Sequence, residues 1–179
     1  MRSIQILFLA LVTIFSLFSA ENTRSHAAEV AEESEIKAAF IFNFLKFVHW
    51  PELKDKHTLR LLTIGKSELN TKIRLIDGRE ANHRQIIVCD SEKATPDQEC
   101  MAMVFGEIER KEAVEYLRTC EQKPILTIGE SPDFARSGGI IGLKVVKGKV
   151  RFEINLTAAE KAGLKISSQL LKLAIEVFR

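Results

Sequence analysis

Several short stretches of this 179-residue chain carry side chains capable of chemistry, and spacing decides what each can do. Gly65-Lys66-Ser67 follows an apolar run and opens a polar segment, as a phosphate-binding loop does. Such a loop also needs a glycine five residues before Gly65, where the backbone must wrap the phosphates, and that position is Arg60. Gly129-Glu130-Ser131-Pro132-Asp133 has the outline of a nucleophile elbow, in which a serine on a tight turn attacks a carbonyl. Asp133 stands where the second glycine should be, and Pro132 lacks the N–H an oxyanion hole would use. An exported hydrolase acting through Ser131 therefore rests on an incomplete turn. His49, His57 and His83 are the histidines after residue 27, and no two stand at helical ligand spacing, so no metal site is expected. Cys89 and His83 fall on or beside one short strand, where a buried cysteine explains Cys89 more simply than a thiol–base pair. No catalytic residue, cofactor or enzyme activity is expected.

Composition bounds the remaining classes. With 46% hydrophobic and 28% charged residues, the chain is an ordinary globular sequence. Lys+Arg 26 against Asp+Glu 24 gives a net charge of +2, too small an excess for binding a phosphate backbone, so nucleic acid is not an expected partner. Arg2 precedes Ile4 to Phe18, an apolar run broken only by Gln5, Thr13 and Ser16, and then come polar residues ending in Ser25-His26-Ala27. That is the layout of a secretory signal peptide cleaved after Ala27, with Ala20 and Ala28 as alternative sites. The run is shorter than the roughly 20 residues a spanning helix requires, and Ala38 to Val48 is shorter still and contains Lys46. Residues 1–27 are thus expected to be a leader, and 28–179 a single exported domain.

The elements that must position any site can be read in order. Glu29 to Glu35 is a charged lead-in, and Ile36 to Trp50 is dense in apolar residues, as a buried helix is. Asn43, Lys46 and His49 share one stripe of that helix, with Phe40, Phe44, Phe47 and Val48 on the other side, and Pro51 closes it. Leu59 to Ile64 is a strand, Ser67 to Ile76 a helix, Asp77-Gly78 a turn and Gln85 to Val88 a second strand. Asp90 to Glu99 is a loop, Met101 to Phe105 a third strand, Glu109 to Arg118 a helix, and Ile125 to Gly129 a strand buried on both faces. This alternation predicts an α/β fold: one compact domain with a mostly parallel sheet flanked by helices. Ile140 to Val146, the Lys147-Gly148 turn and Lys149 to Leu156 form a C-terminal β-hairpin. In its second strand Phe152, Ile154 and Leu156 face the core, with Arg151, Glu153 and Asn155 opposite. Thr157 and Glu160 make a capping box for a short helix ending at Gly163. Ser167 or Ser168 caps a terminal helix whose Leu170, Leu171, Ala174, Ile175 and Phe178 follow helical spacing.

Three cysteines follow the leader, Cys89, Cys100 and Cys120, so at most one internal bridge can form. Cys100 and Cys120 each precede a strand and fall on one edge of a parallel sheet, which makes them the disulfide candidate.

The segments Lys37-Ala38-Ala39-Phe40-Ile41-Phe42-Asn43-Phe44-Leu45-Lys46-Phe47-Val48-His49-Trp50-Pro51, Leu59 to Gly65, Pro124 to Gly129, Gly138 to Ile141, Arg151 to Leu156 and Gly163 to Ala174 closely resemble, in the same order, the motifs of the YfiR family. The resemblance implies an exported α/β protein that tends to dimerise. It also implies a function: binding the periplasmic sensor region of an inner-membrane diguanylate cyclase and lowering cyclic di-GMP signalling, which controls biofilm formation and motility. No enzyme activity of its own is implied. Cys100 matches a family cysteine, whereas the position where its partner is often found is Leu61 here. The resemblance further implies that polar residues of these motifs bind the partner. We place that contact on Arg151, Glu153 and Asn155 together with the Phe134 to Gly139 loop, including Gly138 and Gly139. Asn43 and Lys46 come second, as a polar stripe that can anchor the helix to the sheet. A second expected role is a periplasmic domain that senses a small molecule in a crevice at the strand ends.

Overall fold

The protein is described here by a computed structural model covering residues 28–51, 57–91 and 100–179. The expected leader and most of the expected 90–99 loop lie outside these residues. In chain order the elements are helix α1 (28–47), β1 (Val48–His49), β2 (Thr58–Ile64) and α2 (Glu68–Ile73), which a 3-10 turn, Arg74–Ile76, continues. Next come β3 (Glu80–Ala81), β4 (Arg84–Ser91), β5 (Cys100–Phe105), α3 (Arg110–Cys120) and β6 (Leu126–Gly129). The chain ends with β7 (Ile141–Val146), β8 (Lys149–Asn155), α4 (Leu156–Lys161), β9 (Lys165–Ile166), α5 (Ser168–Leu173) and β10 (Glu176–Phe178).

One eight-stranded sheet carries the fold, in the order β10-β8-β7-β6-β5-β2-β4-β3. Strands β4, β2, β5, β6 and β7 run parallel, β8 turns back antiparallel to β7 as the hairpin, and β3 pairs antiparallel with β4. The alternation of strands and helices therefore yields the α/β architecture expected of it. β4 extends through Asp90 to Ser91, so the first two residues of the expected loop region belong to the sheet.

Helix α1 begins well before Ile36, and the charged lead-in is its first two turns. Alanine and glutamate favour helix, and Glu33 pairs with Lys37 one turn on, at 2.6 Å. Its buried residues Ser34, Lys37, Ala38, Ile41, Phe44 and Leu45 form one stripe at helical spacing. The stripe packs on one face of the sheet in a single core with Leu59, Leu61, Ile86, Val88 and Phe152. The Phe44 and Phe152 rings meet edge-on at 4.9 Å between centroids. Helix α1 stops at residue 47, because Val48–His49 pairs with Lys165–Ile166 in a small antiparallel ribbon. The buried Trp50 then donates its indole N–H to the Met101 carbonyl at 3.0 Å. A second cluster, including Met103, Phe105, Leu117, Cys120, Ile125 and Phe134, covers the other face of the sheet.

Two boundaries near the C-terminus differ from expectation. Asn155, not Thr157, caps α4, because its side-chain oxygen accepts the Ala158 N–H at 2.8 Å while it is still paired in the sheet. Gly163 ends the following turn at φ +71°. Ser167 caps α5 as expected, but Ala174 is extended and the chain leaves the helix after Leu173. Residues Glu176–Phe178 instead add a strand, parallel to β8, so Ile175 and Phe178 are not helical. The unpaired edge of β8 offers backbone partners that override the helical spacing. Among the described residues, no helix is long and apolar enough to cross a membrane.

Candidate functional site

Strand β2 lies between β4 and β5, so the strand order, which runs outward from β2 to β4, reverses about β2 to continue with β5 on its other side. Open α/β sheets bind ligands outside the carboxyl ends of strands at such a reversal. A crevice of about 600 Å³ opens there, between the first half of α1 and the ends of β2, β5 and β6. Leu69, Ile108 and Pro132 supply apolar lining, and Lys37, Ser67 and Glu130 polar lining.

Local sequence shapes the floor. Gly65 turns at φ +74°, and a Cβ there would lie 2.9 Å from the Glu107 carbonyl oxygen. The Gly106 N–H donates to the Ile64 carbonyl at 2.9 Å, and a Cβ on Gly106 would stand 2.8 Å from the Ser67 hydroxyl. The Asn70 amide donates to the Gly65 carbonyl at 2.8 Å, while its buried oxygen has no hydrogen-bond partner. Ser67 caps α2 by accepting the Asn70 N–H, and the Lys66 backbone pairs with that of Glu107 in an isolated antiparallel bridge. Gly65-Lys66-Ser67 is thus a turn closed on itself before a six-residue helix, not a phosphate cradle.

At the back of the crevice Lys37 is only 8% exposed, and its ammonium donates to Glu33 at 2.6 Å and to Glu130 at 2.8 Å. Burial pulls the Lys37 pKa down, but the hydrogen bonds and charges of Glu130 and Glu33 together outweigh it and hold the pKa above the ordinary lysine value. Lys144 and Glu153 form a second ion pair, and both pairs border one adjoining cavity of about 390 Å³. Ser131 lines the crevice, but among the described residues no histidine does. His83 is fully exposed beside Glu80, while Cys89 sits far along β4 against the Arg60 guanidinium, so the thiol–base pair weighed from the sequence is not assembled. Among the described residues no cluster of potential metal ligands occurs.

The residues singled out for partner contact divide into two groups. Phe134 is 2% exposed, and its ring fills the space where side chains on Gly129 and Gly139 would be. Glu153 is 4% exposed beneath Lys144, so the polar face of β8 is not uniformly solvated. Asn155 caps α4 and donates its amide to the Ala135 carbonyl at 2.8 Å, tying the 131–139 turn to the sheet. Arg151 and Gly138, by contrast, are exposed. Asn43 and Lys46 also face outward and do not anchor α1 to the sheet, which its apolar stripe does. Lys46 and Arg79 both lie over the Phe42 ring, at 5.5 and 3.8 Å from its centroid.

Cys100 and Cys120 share the second apolar cluster, but no disulfide joins them. Cys100 Sγ lies 3.3 Å from the Ala102 carbonyl oxygen and Cys120 Sγ 3.3 Å from Met103 Sδ. Burial pushes the Cys120 thiol pKa up, against the weaker opposing effects of Thr119 and Lys123. The Lys37–Glu130 contact was not foreseen from sequence. Only Glu33 and Lys37, four apart, carried a signal for it, and Glu130 lies 93 positions away.

A further groove, of about 450 Å³, separates the first half of α1 from the β7–β8 hairpin. Glu32, Ile36 and Phe40 line one side, and Val145, Lys149 and Arg151 the other. It carries the exposed one of the three polar residues expected on β8.

A family model described as YfiR/HmsC-like matches residues 34–175. Among solved structures, the ABC domain in complex with L-Trp from Streptococcus pneumonia is similar at 13% identity and a TM-score of 0.46. That likeness covers 67% of this chain and 55% of the other, so the chain spans just over half the length of that domain.

Proposed function

Because the chain belongs to the YfiR/HmsC-like family, we propose that it is a periplasmic protein that binds and represses the periplasmic sensor region of an inner-membrane diguanylate cyclase. Membership supports the broader role, a periplasmic regulator of cyclic di-GMP signalling, and the match over residues 34–175 is the observation that carries it. The reading needs no chemistry. A domain that binds one conformation of a receptor more tightly than another shifts the receptor by the difference in affinity. Arg151 and Gly138 are the exposed contacts in this proposal, and Glu153, Asn155, Phe134 and Gly139 hold the hairpin and the adjoining turn in place for them. Homodimerisation and export by a cleaved leader belong to the same proposal.

The test is intracellular cyclic di-GMP in the native bacterium with and without the gene, complemented by the whole chain or by a form lacking residues 1–27. A rise on deletion that only the exported form reverses supports the reading, and an unchanged level removes it. Arg151→Ala should weaken capture of the cyclase sensor region at least tenfold in a pull-down titration, and unchanged capture would move the contact elsewhere.

The crevice at the ends of β2 and β5 favours a second role, sensing of a small molecule. A specific ligand there raises the melting temperature by mass action with no cyclase present, which separates the two readings.

A further inference from the structure

We infer that the groove between the first half of α1 and the β7–β8 hairpin is closed in solution by the same groove of a second copy of the chain, related by a two-fold axis. This assignment of a surface rests on the homodimer proposed above, and since Arg151 then serves both interfaces, the cyclase sensor region must displace the second copy to reach it.

The centre of the groove is apolar and open. Ile36 is 43% exposed and Val145 44%, and they line it with the half-buried Phe40 and the buried Val150. Single exposed apolar side chains are ordinary on a protein surface, but here they gather in one concavity. Its two rims carry opposite charge, with Glu29 and Glu32 on α1 and Lys149 and Arg151 on β8.

Among the described residues of one copy these charges are left over. The inner ones are taken, Glu33 by Lys37 and Lys144 by Glu153. Among the described residues, Glu29, Glu32, Lys149 and Arg151 make no ion pair, so the rims do not neutralise each other across the gap. A foreign partner with a surface of one sign would match only one rim. A two-fold axis running along the groove sets the acidic rim of each copy against the basic rim of the other, satisfying both at once around the shared apolar centre. Such an interface is self-complementary and weakens with salt.

Charge exchange tests the assignment. In one variant, Glu29→Lys with Glu32→Lys makes both rims basic; in the other, Lys149→Glu with Arg151→Glu makes both acidic. The mass of each is measured by sedimentation beside the unaltered chain. Expected are a dimer for the unaltered chain, half that mass for each variant alone, and the dimer again on mixing the two variants in equal amounts. Restoration requires both variants to be folded, so misfolding cannot imitate support. If both variants remain dimers, this surface is wrong while the dimer stands; if the unaltered chain sediments as a monomer, the homodimer itself is wrong. If the variants are monomers with unaltered circular dichroism and stay apart on mixing, pairing of the rims is overturned.

Discussion

A lysine ammonium withdrawn from water is held only where carboxylates replace its hydration, and Lys37 has two of them. Lys37→Met should cost about 3 kcal/mol in urea unfolding at neutral pH, because Glu130 is left without its partner, and Glu130→Gln in that background should recover part of the loss. The pH dependence has a definite sign. Because the folded pKa is raised, the contribution of Lys37 is complete below the ordinary lysine value and is lost as pH climbs through the higher folded one. The gap between the unaltered chain and Lys37→Met should therefore be constant near neutrality and close only in strongly alkaline solution. The cysteines offer a chemical check on burial. Cys89 is half-buried while Cys120 is buried with its thiol pKa pushed up, so native-state alkylation followed by mass spectrometry should label Cys89 first and Cys120 only on unfolding. What was legible at this scale was residue type and local spacing. Alternation along β8 separates Phe152 and Ile154 from Arg151 and Glu153 correctly, but it cannot show that Lys144 on the neighbouring strand covers Glu153.

The turn after β6 is the element whose design is plainest. Phe134 reaches back under it and occupies the space beside Gly129 and Gly139, so the glycines are required by a ring and not by a turn angle. Gly139→Ala should lower stability by about 2 kcal/mol through overpacking. Phe134→Ala should cost about 4 kcal/mol through the cavity it leaves, and the double variant should cost less than the sum of the two. Denaturant midpoints of the three proteins check this directly. Asn155→Ala should lose about 1 to 2 kcal/mol, since it removes the cap of α4 and the tie to Ala135 together, whereas Asn155→Asp keeps the cap. The strands were legible because those buried on both faces leave near-continuous apolar runs, as Leu126–Gly129 does. The spacing overextends the last helix because Leu170, Leu171, Ala174, Ile175 and Phe178 fit a helical face, and only the position of β8 shows that residues 176–178 complete a sheet instead. The first turns of α1 carry no such signal for the opposite reason, since Glu29 to Glu35 has too few apolar residues to show a period.

The molecule closes its sheet with the strand nearest its C-terminus. β10 covers the outer edge of β8, Arg136 pairs with Glu176 at 2.6 Å, and the same guanidinium lies 4.3 Å from the Phe178 ring centroid. Deleting residues 174–179 should therefore lower the melting temperature and increase light scattering on standing, because β8 becomes a bare edge. The central strand of the sheet has the contrary situation. β2 is hydrogen-bonded along its length to β4 on one side and from Arg60 onward to β5 on the other, with Leu59 and Leu61 in the core below α1. In deuterated solvent its amides should exchange last, with protection lost from β10 and β3 inward. The crevice mouth stands on the ends of β2 and β5, in the part of the molecule that opens least often. Whatever enters it meets a floor already fixed by the Gly106–Ile64 and Asn70–Gly65 hydrogen bonds, so little ordering entropy is lost from the floor on binding there.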